Sequence, residues 1–340
     1  MRGPVRDRLS QLLRYVVALV ALLWVLSRGE WQESVETLTN VSGLVLVVLI
    51  GLTVVGLLFR FLMWYAFINF ETPIQFRTAA EIDLVVNFLN QLLPSRLSGR
   101  AAAPLVLSQR TNIDIGTGTG LTGANTALYA IVYGLVSAVG VALSVGRLSI
   151  GVLGVLLLST SLYLLAGLVL LITGLNATVI SMLTNRLLPF VRRVPGMERV
   201  TESVSERVPQ FTEQSTMVFR RTIYTPSIVG PYLIGWLASA ALFPALRVAI
   251  LFETFGVSFT PLVTLPLVLV AAYSITLLPL TPGGIGVTEA TAAAVFVSLG
   301  VPYEVSAATV LVDRVLGVYI PALLGWYPMV RENPLTLETG

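Results

Sequence analysis

The sequence predicts an all-α polytopic membrane protein with about seven spanning helices plus two broken or re-entrant hairpins. Three observations predict it. Hydrophobic residues make up 55% of the 340 positions and charged residues only 11%, against roughly 25% charged in ordinary soluble domains. Apolar runs long enough to cross a bilayer recur along the chain. Two other apolar segments are too short or too interrupted to cross, and they carry the polar residues.

The spans follow in order. Leu12 to Leu26 is short, contains Arg14 and follows an arginine-rich start; no small-x-small cleavage signature follows, so it reads as an uncleaved anchor. Val41 to about Trp64 is uncharged until Arg60. Further spans run over about Thr126 to Gly146, Ser149 to Gly174, Ser227 to Phe252, Thr260 to Leu280 and Ser306 to Tyr327. Arg2, Arg6, Arg8 and Arg14 place the N-terminus in the cytoplasm of a multi-pass cell-membrane protein. The 178–226 loop has seven Arg and four Glu and falls on the same side after four spans. Within it Met197, Val200, Val204, Val208 and Phe211 recur at helical spacing, which predicts an amphipathic helix lying on the membrane. The chain is one transmembrane domain: 1–11 cytoplasmic, 12–177 a first half, 178–226 the loop, 227–330 a second half and 331–340 a tail.

The first half contains a hairpin at 79–109. Asp83, Asn87, Asn90 and Gln91 sit at i, i+4, i+7 and i+8, one polar stripe on a helix. The fifteen residues Ala79 to Leu93 reach only about 22 Å, short of a ~30 Å hydrocarbon core. Pro94 breaks the run, Arg96 and Arg100 occupy the turn, and Ala101 to Leu107 resumes as a second short helix. The second half contains a broken segment at 277–299: prolines and Gly283, Gly284 and Gly286 interrupt an apolar run before Glu289 opens a new helix. Amides at that helix start suit an anion. Asp313 and Arg314 lie inside the last apolar run. An ionised group at the bilayer centre costs at least ~2.5–3.5 kcal/mol, so Arg314 is expected to pair with Glu289 or Asp313. Leu92-Leu93-Pro94 and Leu277-Leu278-Pro279 are each followed by a glycine at the same offset, Gly99 and Gly284, and this points to an inverted repeat around a central site. Leu187-Leu188-Pro189 lacks that glycine.

The available chemistry is narrow. There is no Cys, no His and no Lys; all 21 basic residues are Arg. This removes thiolate and Schiff-base chemistry, the usual proton shuttle and the commonest metal ligands, so neither a cofactor nor a metal is expected. A net charge of +3 on so apolar a chain does not suggest nucleic acid. Gly118-Thr119-Gly120-Leu121-Thr122-Gly123 matches G-x-G-x-x-G, but without a strand before it or an acid ~20 residues after, it reads as a flexible loop.

On these residues the chain resembles the transmembrane-region family of lysylphosphatidylglycerol synthases, which includes stand-alone membrane proteins. Pro282-Gly283-Gly284-Ile285-Gly286-Val287-Thr288-Glu289, followed by Gly300, Ala307 and Arg314, carries the resemblance, with Asn90-Gln91-Leu92-Leu93-Pro94, Arg96 and Gly99 in support. Where the family often has Glu and then Arg after the first hairpin's glycine, Arg100 and alanines stand here. Only a short tail follows Tyr327, so lysyl transfer is not expected. The resemblance implies movement of lipid across the bilayer, and some relatives are fused to glycosyltransferases acting on polyprenyl-phosphate sugars.

The resulting expectation is a non-enzymatic lipid translocase, or lipid-handling protein, for an anionic phospholipid or a polyprenyl-phosphate carrier. Asn90, Arg96, Arg100, Gly283, Gly284, Gly286, Glu289, Asp313 and Arg314 are its headgroup or pathway residues. The guanidiniums and glycine amides would hold phosphate, and Glu289 with Arg314 would form a switchable pair. Membrane lipids are the expected partners. The alternatives are a non-catalytic membrane partner of a glycosyltransferase or lipid-modifying enzyme, and a small-solute transporter.

Overall fold

In a computed structural model the protein is described at residues 42–92, 100–179, 182, 186 and 198–331; side chains in the last stretch are described from 210 to 329. Every regular element among the described residues is helical. The chain is an all-α polytopic membrane protein. The first predicted span, Arg96 and Gly99 lie outside the described residues.

Ser42 caps α1 (Gly43–Glu71), its Oγ accepting from the Val45 amide at 3.3 Å. The helix runs past the predicted end at Trp64 because Arg60 is neutralised by a carboxylate rather than exposed to lipid. Leu44, Val47, Ile50 and Leu58 stay exposed, the all-round apolar surface of a helix whose solvent is hydrocarbon. α2 (Phe76–Leu92) and α3 (Ala103–Arg110) are the arms of the first hairpin. Arg110 at the end of α3 bonds Glu81 near the start of α2, at 3.2 Å, and the Pro328 carbonyl, at 2.6 Å. Both arms therefore begin and end at one face of the bundle.

α4 (Ile115–Ser144) starts earlier than predicted, and the glycine-rich run is its first turns rather than a flexible loop. Two causes are visible. Asp114 caps the helix, accepting from Gly116 at 2.8 Å and Thr117 at 3.1 Å. The glycines allow close packing: a Cβ on Gly120 would lie 2.5 Å from the Ser215 carbonyl. Ser149 opens α5 (Ile150–Leu175). α6 (Glu198–Ile223) is longer than the expected amphipathic helix, whose Met197, Val200, Val204 and Val208 side chains lie outside the described residues. Thr212, Ser215, Thr216, Val218, Phe219 and Thr222 are buried in the bundle, while Phe211 of the expected apolar face is exposed. Small hydroxyl residues make this close approach to α4 possible, and Ser215 Oγ donates to the Gly116 carbonyl at 2.8 Å.

α7 (Pro226–Trp236) continues through a π-helical stretch, Leu237–Leu242, into α8 (Phe243–Thr254), one crossing of 29 residues. The last crossing is built the same way: α11 (Tyr303–Arg314), a π stretch Val315–Tyr319, then α12 (Ile320–Arg331). A proline follows each π stretch closely, Pro244 and Pro321. A proline nitrogen cannot donate back along the helix, and a wider turn absorbs the missing bond.

The predicted span Thr260–Leu280 does not cross. Its helix α9 (Leu265–Tyr273) gives way to a 3₁₀ turn at Ser274–Leu277, because the prolines and glycines beyond cannot continue it. α9 is instead the inward arm of the second hairpin, and α10 (Val287–Ser298) is the returning arm. Val257, Phe259, Leu299, Val301 and Val305 pack with Leu148 and Val152 at the end of the bundle opposite Arg110. The two hairpins thus penetrate from opposite faces. Their inner ends meet: a Cβ on Gly283 would lie 2.2 Å from Gln91 Oε1.

Each inward arm also rests on a spanning helix of the other half. A Cβ on Gly325 of α12 would lie 2.0 Å from the Leu84 carbonyl of α2, and one on Gly140 of α4 would lie 2.1 Å from the Leu267 carbonyl of α9. Gly140 and Gly325 stand at the same offset as Pro94 and Pro279. The repeat is therefore visible in contacts as well as in the tripeptides.

Candidate functional site

A cavity of about 140 Å³ lies where the two hairpins and the two π-helical crossings converge. Its polar wall comes from α2, whose Asp83, Asn87 and Asn90 all face it, and from Arg100 beside α3. Asn125, Tyr129 and Tyr133, four residues apart along α4, add a second wall. The π stretches bring Ser239, Ala240, Gly317 and Val318 to the surface, with Arg247, Asp313 and Arg314 beside them. π turns re-aim side chains out of helical register and recur at functional sites.

Among the described residues four guanidinium groups line the cavity: Arg60, Arg100, Arg247 and Arg314. Three are held by carboxylates. Arg60 Nε donates to Asp83 at 2.8 Å, joining α1 to the first hairpin. Arg247 Nε donates to Asp313 at 2.8 Å, and the Tyr273 hydroxyl donates to the other Asp313 oxygen at 2.8 Å. Arg314 Nε donates to Glu289 at 2.8 Å, with Tyr319 donating to the same carboxylate. Of the two partners expected for Arg314, the structure has Glu289; Asp313 belongs to Arg247. Arg314 and Glu289 are 0% and 3% exposed, so each needs the other: removing one member of such a pair leaves a buried charge at a cost of about 3–5 kcal/mol.

Arg100 differs. Its Nη1 donates to Asn125 Oδ1 at 2.8 Å and its guanidinium lies 3.8 Å over the Tyr129 ring. Among the described residues no carboxylate pairs with it. Several buried polar atoms around the same cavity also lack a hydrogen-bond partner: Asn87 Nδ2, Asn125 Nδ2, Trp236 Nε1, Arg314 Nη1 and the acceptor Asn90 Oδ1. A buried unpartnered polar group costs about 1–3 kcal/mol, and these atoms gather around the one cavity.

The glycine segment has another use. Gly283, Gly284 and Gly286 have φ of 60°, 72° and 81°, where a side chain would be strained. Several of its backbone groups are bonded from within, as backbone at membrane depth requires. The Gly284 amide donates to Thr281 at 3.1 Å, the Gly286 amide to Glu289 Oε2 at 2.6 Å, and the Gly283 carbonyl accepts from Arg314 Nη2 at 3.3 Å. The Gly284 and Gly286 amides are thus occupied by the chain itself. Glu289 takes the helix start that an external anion would need.

Asn90, Arg100, Asp313 and Arg314 therefore line one cavity, Glu289 and Gly283 hold Arg314 from behind it, and Gly284 and Gly286 shape the turn. Arg60, Arg247, Asn125, Tyr129 and Trp236 are not among the residues the sequence singles out. Arg247 carries the same signal as Arg314, a charge within an apolar span. The aromatic residues carry none, since a core aromatic and a cavity aromatic look alike in sequence.

The family model described as the lysylphosphatidylglycerol synthase TM region matches residues 11–325. A curated UPF0104 membrane protein of Pyrococcus horikoshii is 25% identical over 143 residues, 42% of this chain and 41% of the relative. The match thus spans less than half of that protein. No solved structure matches.

Proposed function

Because the chain belongs to the lysylphosphatidylglycerol synthase TM region family, we propose that it is a lipid translocase, not an enzyme, that draws an anionic headgroup into its central cavity. One observation carries the reading: among the described residues, four cavity-facing guanidiniums stand against three carboxylates around a mid-bundle cavity with unpartnered donors. Arg100 and Arg314 Nη1 grip the phosphate by charge-assisted hydrogen bonds, while the lipid tails stay in the surrounding hydrocarbon. Hairpins that penetrate from opposite faces supply the means of opening the cavity to either leaflet in turn.

Purified protein in liposomes tests this. Labelled anionic lipid is expected to cross the bilayer at least tenfold faster than in protein-free vesicles, and Arg100→Gln is expected to abolish the gain at unchanged thermal stability. Headgroup flip rates equal to those of empty vesicles, over several anionic lipid classes, would overturn the reading. Uptake of a small soluble anion in the same vesicles, without lipid movement, would favour a solute transporter.

A further inference from the structure

We infer that the two π-helical stretches form a paired hinge, on which one block of the bundle rocks against another across the cavity. This goes beyond the translocase reading by naming the moving parts, and it depends on that reading only for the cargo.

The blocks follow from where the strong contacts fall. In the first, Arg60 of α1 holds Asp83 of α2, and Arg110 of α3 holds Glu81 of α2 and the Pro328 carbonyl of α12. Leu84 of α2 lies against Gly325 of α12. In the second, Ser137 of α4 bonds Thr160 of α5 at 2.6 Å, and Ser159 of α5 bonds Ser274, just past α9, at 2.6 Å. Asp313 of α11 accepts from Arg247 of α8 and Tyr273 of α9, and Arg314 holds Glu289 of α10. Val141, Leu156, Val248, Val268, Phe296 and Val310, one from each of α4, α5 and α8 to α11, share one apolar core. Among the described residues, the ion pair that crosses between blocks is Arg221–Glu71, joining α6 to α1 with an arginine 58% exposed. At the cavity, Arg100 beside α3 reaches the neutral Asn125 and the Tyr129 ring of α4. Strong pairs hold each block together, and weaker contacts join the two.

Two crossings change block, and each changes at its π stretch. α7 rests on α1: the Tyr232 and Phe67 rings lie 5.0 Å apart, and a Cβ on Gly235 would lie 2.9 Å from the Phe59 carbonyl. Beyond Leu237–Leu242, α8 belongs to the second block through Arg247 and Val248. The last crossing runs the other way, from α11 through Val315–Tyr319 to α12. α4 and α5, both inside the second block, are unbroken over 30 and 26 residues. A helix shared by two moving parts needs a few residues that absorb the change in backbone angle, and a π turn supplies them.

The two joints are also tied to each other. Arg247, shortly after the first, holds Asp313, shortly before the second. A Cβ on Gly317, within the second joint, would lie 2.6 Å from Arg247 Nη2. One joint therefore turns with the other. Both line the cavity, through Ser239 and Ala240 and through Gly317 and Val318, so their turning reshapes its walls.

The chain has no cysteine, so cysteines introduced in pairs at exposed positions carry spin labels there alone. Leu44 and Tyr327 mark the two ends of the first block, and Ile150 and Ile115 the two ends of the second. Distances are read by pulsed electron resonance on the purified full chain in lipid nanodiscs. The pairs 44–150 and 115–327 cross between blocks at opposite ends of the bundle. Each is expected to show two populations about 5 Å apart, the scale of a one-turn shift between elements, with complementary fractions at the two ends. The pairs 44–327 and 115–150, each within a block, are expected to show one. Arg100→Ala, which removes the bond to Asn125, is expected to change the ratio of the two populations about threefold or more, each 1.4 kcal/mol being tenfold. Pro244→Ala combined with Pro321→Ala restores an amide donor at each joint and is expected to merge the populations without lowering the melting temperature. Amide exchange of the unsubstituted chain gives an independent reading: Leu237–Leu242 and Val315–Tyr319 are expected to exchange about tenfold faster than the middle of α4.

A single population in both cross-block pairs, with and without Arg100→Ala, overturns the hinge. So do two populations within a block, or exchange at the joints as slow as in α4. Lipid scrambling with single populations would sink the hinge and leave the translocase reading standing. Two populations without any lipid movement would do the reverse.

Discussion

The two hairpins are the same device put to different ends. Each sends a short helix into the bundle and a second one back to the face it came from, and each inward arm rests on a glycine of the opposite half. The first turns its polar side chains outward: Asp83, Asn87 and Asn90 all face the cavity. The second turns them inward, with Glu289 tied to Arg314, Tyr319 and the Gly286 amide. The contrast teaches that a shared topology need not give shared chemistry. The first hairpin lines the cavity with polar side chains, while the second is a floor that holds Arg314.

The largest effect should come from breaking that floor. Arg314→Ala leaves the buried charge of Glu289 uncompensated and frees the Gly283 carbonyl, an expected loss of about 3–5 kcal/mol, read as a lower midpoint of thermal or denaturant unfolding in detergent. Arg60→Ala, which removes a side chain 23% exposed in its pair with Asp83, should lose clearly less. Equal losses would mean that the first hairpin is as much a structural lock as the second.

A smaller, matched effect would sharpen what the hairpins share. Gly140→Ala and Gly325→Ala each drive a methyl into a carbonyl of the opposite inward arm, at 2.1 and 2.0 Å. Each should destabilise by about 1–3 kcal/mol, although the helix itself would gain up to ~1 kcal/mol from the same change. Gly51→Ala, with nothing within 4 Å of the added atom, is the control and should be neutral or stabilising. If only one clamp responds, the repeat is a resemblance of tripeptides and not of packing.

How much of this was legible depended on whether a residue's burial conflicts with its chemistry. Asp83, Asn87 and Asn90 were readable as a stripe because polar groups in an apolar helix must share a face, and Glu289 with Arg314 because charges at membrane depth need partners. Arg247 was equally readable in principle, lying in an apolar span. Asn125, Tyr129 and Trp236 were not, because their approach to the cavity depends on how α4 and α7 are rotated in the bundle. The occupied Gly286 amide shows a different limit: a helix start that suits an anion had its anion supplied three residues along the same chain. The missed start of α4 shows a third, since glycines that signal a loop in water serve as a packing face against α6.

The smallest effect expected lies at that helix start, outside the membrane-spanning segment. Burial raises the Asp114 pKa, but the hydrogen bonds from Thr117 and Gly116 outweigh it and hold the carboxyl below the usual range. A carboxylate whose folded pKa is depressed stabilises the fold above its unfolded pKa, and that contribution is lost as pH falls through the folded value. Asp114→Ala should therefore cost about 0.5–2 kcal/mol near neutral pH and almost nothing in strong acid, while Asp114→Asn, still able to cap, should cost less and show little pH dependence. Melting curves of the three proteins across the acid range decide it: a gap between Asp114 and Asp114→Ala that stays constant below the usual carboxylate range would show that the amides of α4 do not depend on the charge.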